Sequence, residues 1–128
     1  MRWRFRCYLR DDGIDAIDAW RESQPPKLQA KFDTRMRYLQ QQPRELWTRP
    51  YFDTLGGECQ GLGELRLPWM NVQYRPIGFA SGEMEYTWLF VAEERNGNFV
   101  PRNTCTICQA RKNDVLQCEQ RACVCDFE

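Results

Sequence analysis

Residues 61–80 read GLGELRLPWMNVQYRPIGFA, and the fold turns on how this stretch divides. In Glu64-Leu65-Arg66-Leu67, apolar and charged residues alternate with the period of a half-buried strand. Pro68 is expected to end that run, because it has no amide hydrogen for a sheet ladder. Met70, Val72 and Tyr74 then fall on one face of a second strand, with Asn71, Gln73 and Arg75 on the other. The stretch is therefore read as two strands and a short turn, which brings Arg66 and Arg75 onto adjacent strands. Two readings of that pair stand open. Both arginines are solvated strand residues, the ordinary fate of arginine, or they are two cations fixed side by side.

Upstream, Arg2-Trp3-Arg4-Phe5-Arg6-Cys7-Tyr8-Leu9-Arg10 alternates almost without a break. Trp3, Phe5, Cys7 and Leu9 form one face of a strand, and the arginines with Tyr8 form the other. That basic face either meets phosphates or guards an exposed edge against pairing with another sheet. Asp11-Asp12-Gly13 closes the strand and offers a carboxylate cap to a helix whose stripe is Ile14, Ile17 and Trp20. Pro25-Pro26 starts a second helix. Its apolar stripe is Leu28, Phe32, Met36 and Leu39, and its outer face carries Lys27, Lys31, Arg35 and Arg37. Such a helix pair covers a sheet.

Downstream, Ser81-Gly82 reads as a turn. Residues 85–92, EYTWLFVA, form a strand rich in aromatic and β-branched residues and suited to burial on both faces. Asn96-Gly97-Asn98 turns the chain again. A helix follows from Pro101, carrying Arg111 and Lys112. Residues 119–128 show no clear period and are expected to be a loosely held tail. The order strand, helix, helix, three strands, helix defines a small α+β fold over a single domain, residues 1–128.

Composition narrows the function classes. A chain of 128 residues with 42% hydrophobic content can bury a core without staples. No run approaches the roughly 18 apolar residues of a membrane span, and the N-terminus lacks the pattern of a signal peptide. A cytoplasmic protein with reduced cysteines is the expectation. Net charge is zero. The mild basic excess lies in residues 1–50, with eleven Lys/Arg against seven Asp/Glu. A polyanion binder carries a clearer basic patch than this. The glycines at 56, 57 and 61 form no phosphate-cradling loop, since no Lys-Ser/Thr pair follows them.

This order of elements resembles that of the RelE/ParE superfamily of toxin–antitoxin toxins, with HigB-type and phage-derived toxin-like members nearest. The resemblance is carried by Gly61-Leu62-x-Glu64-Leu65-Arg66 and Gln73-Tyr74-Arg75-Pro76. Asn98-Phe99-x-Pro101-Arg102-Asn103 and the closing Cys125-Asp126-Phe127-Glu128 add to it. It implies a four-stranded, mainly antiparallel sheet with a helix pair on one face and a C-terminal helix beside a concave working surface. It further implies a metal-independent endoribonuclease that cuts mRNA, often on the ribosome. No cofactor is expected. The partners implied are mRNA and a cognate antitoxin of helix-turn-helix type, with no membrane. The alternative is a non-catalytic binding module on the same fold, either a gyrase-directed toxin or a phage or plasmid accessory protein.

Cutting RNA without a metal requires a base, an acid and fixed cations around the phosphate. Arginine suits the last task, because its planar fork stays charged and binds phosphate oxygens in pairs. Arg75 is the first candidate for the transition-state cation and Arg66 the second. Glu64 and Tyr74 are candidates for proton transfer, along with Tyr86 and Glu94. Arg95 and Arg102, at the start of the last helix, with Arg111 and Lys112 on it, are candidates to hold the RNA backbone. Two departures from the family pattern stand against the chemistry. The chain has no histidine, and Glu93-Glu94-Arg95 occupies the place where relatives carry a lysine pair.

Seven cysteines allow three readings: a zinc site, reduced structural thiols, and redox or disulfide use. Cys105-x-x-Cys108 with Cys123 and Cys125 offers thiolates at short spacing for zinc. Against that, the first pair falls within a helix and the second is closer than a normal zinc knuckle. Reduced structural thiols are the simpler reading. No cysteine nucleophile is expected without a histidine to activate it.

Overall fold

The computed structural model describes residues 2–127, and these fold as three helices around one mixed, open sheet of eight strands. Strand β1 (Arg4–Tyr8) leads to α1 (Ala16–Glu22) and α2 (Pro26–Gln41). Five strands follow: β2 (Phe52–Thr54), β3 (Gly63–Leu65), β4 (Leu67–Trp69), β5 (Val72–Gly82) and β6 (Glu85–Arg95). The chain ends with β7 (Asn98–Val100), α3 (Thr104–Gln117) and β8 (Ala122–Val124). The α+β class is as expected, but the sheet is larger than four strands. Its order is β2-β3-β5-β6-β1-β8, with β4 alongside β5 and β7 alongside β6. Every pairing is antiparallel except β1 with β6, where Phe5 lies opposite Tyr86.

Both helices of the first pair start where local chemistry dictates. The Asp15 carboxylate accepts from the amides of Ile17 and Asp18, so this residue caps α1 in place of Asp11 or Asp12. Ile14 therefore lies ahead of the helix and is exposed. Pro26 opens α2, where its missing amide hydrogen is harmless. Leu28, Phe32, Met36 and Leu39 are all fully buried against the sheet. They meet Trp3, just ahead of β1, and Phe5 and Cys7 of β1, together with Phe52, Leu65, Tyr86 and Trp88. The opposite face holds a second core, in which Tyr8, Ile77, Phe79 and Leu89 pack against Cys108 and Val115 of α3.

The quoted stretch divides differently from its expectation. Pro68 lies within β4, opposite Gln73. Among the described strands β4 pairs with β5 alone, so a residue without an amide hydrogen is tolerated there. Met70 and Asn71 form the turn itself, with φ of 50° and 65°. This is the left-handed pair that a two-residue hairpin requires. Met70 is consequently exposed rather than aligned with Val72 and Tyr74. Ser81-Gly82 also belongs to a strand, and the chain reverses at Glu83-Met84. The long β5–β6 ladder shifts register between Ile77 and Gly78. A Cβ at position 78 would lie 2.4 Å from the Thr87 carbonyl oxygen, so only glycine fits that close approach.

Three further expectations are corrected. β1 lies between β6 and β8, so its arginines guard no sheet edge. The closing segment is not loose: β8 pairs with β1, and Phe127 packs edge-on against Phe32 at 5.1 Å. A Cys7–Cys125 disulfide fastens it, and a second disulfide joins Cys59 to Cys105. Only Cys108, Cys118 and Cys123 are free thiols. The reduced-thiol reading fails because partners distant in sequence meet across β1–β8 and between α3 and the loop before β3.

Candidate functional site

Period-two alternation along β5 sends Arg75 and Ile77 toward the α3 side of the sheet and Tyr74 toward the first helix pair. Glu64 of β3 lies opposite Ile77, and so joins Arg75 on that face. The loop residue Arg66 reaches the same carboxylate. Arg66 Nη1 donates to Glu64 Oε2 at 2.6 Å, while Arg75 Nε lies 3.6 Å from that oxygen. The two arginines are therefore on one side and share one acid.

Their surroundings differ from those of an open phosphate site. Arg75 is only 1% exposed. Its Nε donates to Glu94 Oε1 at 3.0 Å, its Nη1 to the Tyr74 carbonyl at 3.1 Å, and its Nη2 to Gln73 Oε1 at 3.4 Å. Arg66 is half-buried, and its backbone carbonyl accepts from Arg35 of α2 at 2.9 Å. Donors of both arginines are thus engaged by oxygens of the chain itself.

Glu64 is the unusual member. It is 3% exposed, and its Oε1 has no hydrogen-bond partner. Burial raises its pKa above the ordinary carboxyl value; Arg75 and Arg66 oppose the shift, and Glu94 adds to it. A carboxyl group so placed is suited to holding a proton.

The remaining candidates are scattered. Tyr74 packs on Trp20 at 5.5 Å, across the sheet from the arginine pair, and burial raises its pKa. The Tyr86 hydroxyl is buried and donates to the Gly78 carbonyl at 3.2 Å; burial raises its pKa strongly. Neither tyrosine is placed to act with Glu64. Arg95 is exposed and pairs with Glu93 at 2.8 Å, and Arg102 is exposed at the foot of α3. Arg111 serves packing: it stacks over Tyr8 at 4.7 Å and over Phe90 at 5.4 Å, and donates to the Leu89 carbonyl. Lys112 lies over the Phe79 ring at 5.4 Å. Of the four proposed RNA-holding cations, only Arg95 and Arg102 face solvent.

The zinc quartet is dispersed, since Cys105 and Cys125 are bonded to Cys59 and Cys7. Among the described residues, no group of three or more His, Cys, Asp or Glu side chains is placed to hold a metal ion. None of the helices described is long and apolar enough to cross a membrane.

A cavity of about 750 Å³ lies elsewhere, along the exposed face of β1. Arg2, Arg4 and Arg6 line it with Gln40 and Glu85. The alternating arginines signalled it in the sequence; Gln40 and Glu85 carried no signal. Comparisons with protein-family models, with curated proteins and with solved structures find no match for this chain.

Proposed function

We propose that this chain acts by binding a protein partner, on a RelE/ParE-like scaffold that carries out no RNA cleavage. One observation carries the reading. Arg75, the cation best suited to a transition-state phosphate, is 1% exposed and neutralised by Glu94 and Glu64. An RNA phosphate reaching it would have to displace two carboxylates and desolvate beside them. The absence of histidine and the zero net charge point the same way.

The scaffold reading rests on element order and on the motifs around Glu64-Leu65-Arg66 and Tyr74-Arg75-Pro76. On this view β3-β5-β6-β1 is the four-stranded core, and the short strands β2, β4, β7 and β8 are additions to it. The partner is then an antitoxin-like protein or a target such as gyrase. Cytoplasmic action belongs to this proposal, and the two disulfides are the feature it must accommodate, since such bonds are rare there.

An endoribonuclease is the second reading, favoured by the unpartnered Glu64 Oε1 beside two arginines. Expressing the protein alone in bacteria and mapping mRNA 5′ ends separates the two. Binding without cleavage predicts intact transcripts, and induced DNA damage alongside growth arrest would identify the gyrase branch. New ends that vanish in Arg66→Gln overturn the proposal.

A further inference from the structure

We infer that the β1 trough is a binding site for the phosphate group of a small phosphorylated molecule. Arg2, Arg4 and Arg6 occupy alternate positions, so their side chains emerge from one face about 7 Å apart. The trough of about 750 Å³ lies within the size range of small-molecule sites. Its cations are positioned by the fold. Gln40, itself 2% exposed, donates to the Trp3 carbonyl at 3.0 Å and accepts from Arg2 Nη2 at 2.8 Å. Arg6 Nη2 donates to the Glu119 and Ala122 carbonyls, which leaves its Nε and Nη1 hydrogens without a partner among the described residues. Arg4 lies 3.2 Å from Glu85 Oε1, yet its side chain is 74% exposed. Glu85 is itself held, through Oε2, by the Ser81 hydroxyl at 2.9 Å.

A tetrahedral dianion satisfies more than one guanidinium fork at once, which a single carboxylate does less well. The trough does not suit a long nucleic acid. Trp3 and Phe5 present no open ring for base stacking, being 7% and 2% exposed. The site is independent of the partner-binding reading: Arg4 lies opposite Glu85 at the start of β6, and Arg75 opposite Ala92 near its end.

Calorimetric titration with inorganic phosphate, glucose 6-phosphate and plain glucose, at matched ionic strength, tests the proposal. Both phosphates are expected to bind saturably and glucose not at all. The tighter of the two shows whether the natural ligand is an ester or the free ion. Arg4→Gln should weaken binding about tenfold, the loss of one charged hydrogen-bonding group. Arg49→Gln, an exposed arginine elsewhere that pairs with Asp53, should leave it unchanged. Because Arg4 is largely solvated, its replacement should not alter thermal unfolding. Absence of saturable binding, equal loss in both variants, or displacement of glucose 6-phosphate by a single-stranded RNA oligomer at lower concentration overturns the inference.

Discussion

Arg75 Nε lies 3.0 Å from Glu94 Oε1 across the β5–β6 ladder, on the least exposed charged side chain of the buried group. An ion pair in such a place is a structural commitment. Arg75→Ala leaves Glu64 buried beside Arg66 alone, and should destabilise the fold by about 3–5 kcal/mol. The double replacement Arg75→Met with Glu64→Leu removes both charges and should recover most of that loss. Urea denaturation of the three proteins measures both effects. A loss below about 1 kcal/mol for Arg75→Ala would mean that the cluster is solvated and open to a ligand.

The same cluster makes stability depend on pH. Burial raises the Glu64 pKa above 4.5, its ordinary value, despite the opposing arginines. The folded protein therefore holds this proton more tightly than the unfolded chain does. The contribution is complete below pH 4.5 and is lost as pH rises through the folded-state value. Glu64→Gln is neutral at every pH, so its stability relative to the parent should improve as pH rises above 4.5. Denaturation midpoints across that rise provide the measurement. The opposite slope would mean that Arg66 and Arg75 outweigh burial.

The cysteines give a chemical prediction. Four are in disulfides, and the exposed Cys118 should be the first thiol alkylated in the native, unreduced protein. Burial, then the neighbouring Asp15, pushes the Cys123 thiol up to about 11. At pH 8 only about a thousandth of it is thiolate, and its labelling should be correspondingly slow. Burial pushes Cys108 up to about 12, so it should label only after unfolding. Mass spectrometry of iodoacetamide-treated protein, taken directly from cells, counts the groups. Unfolded without reductant, the chain should take three labels; five or more would mean that the cell keeps at least one disulfide reduced. Reduction of the Cys7–Cys125 bond, which spans 118 residues, should lower stability by about 4–5 kcal/mol.

What the sequence disclosed follows the range of the signal. The stripe Leu28, Phe32, Met36 and Leu39 and the alternation Trp3, Phe5, Cys7 are local patterns, and every one of these residues is buried. The placement of Arg75 opposite Tyr74 in facing was equally readable from a period of two. That Arg66 and Arg75 share Glu64 depends on the β3–β5 register, which no local period encodes. The neutralisation of Arg75 by Glu94 depends in turn on the register of β5 with β6. Disulfide connectivity cannot be deduced from cysteine spacing alone. The two-strand neighbourhood of β1 was hidden for the same reason, since β6 and β8 reach it from the far half of the chain.

The closing segment is the clearest case of order without a local signature, and it carries the last prediction. Ala122, Cys125 and Phe127 are buried, while Val124 between them is 71% exposed. Phe127 fills a position against Phe32 of α2. Phe127→Ala should therefore cost about 3–5 kcal/mol, the range for truncating a buried aromatic ring. Val124→Ala, at a side chain facing solvent, should stay within about 0.5 kcal/mol of the parent. Thermal unfolding of both variants under non-reducing conditions compares them with Cys7–Cys125 intact. Equal, small effects would mean that the disulfide alone tethers an otherwise loose tail, whereas a large difference shows that Phe127 is part of the core that α2 and the sheet enclose.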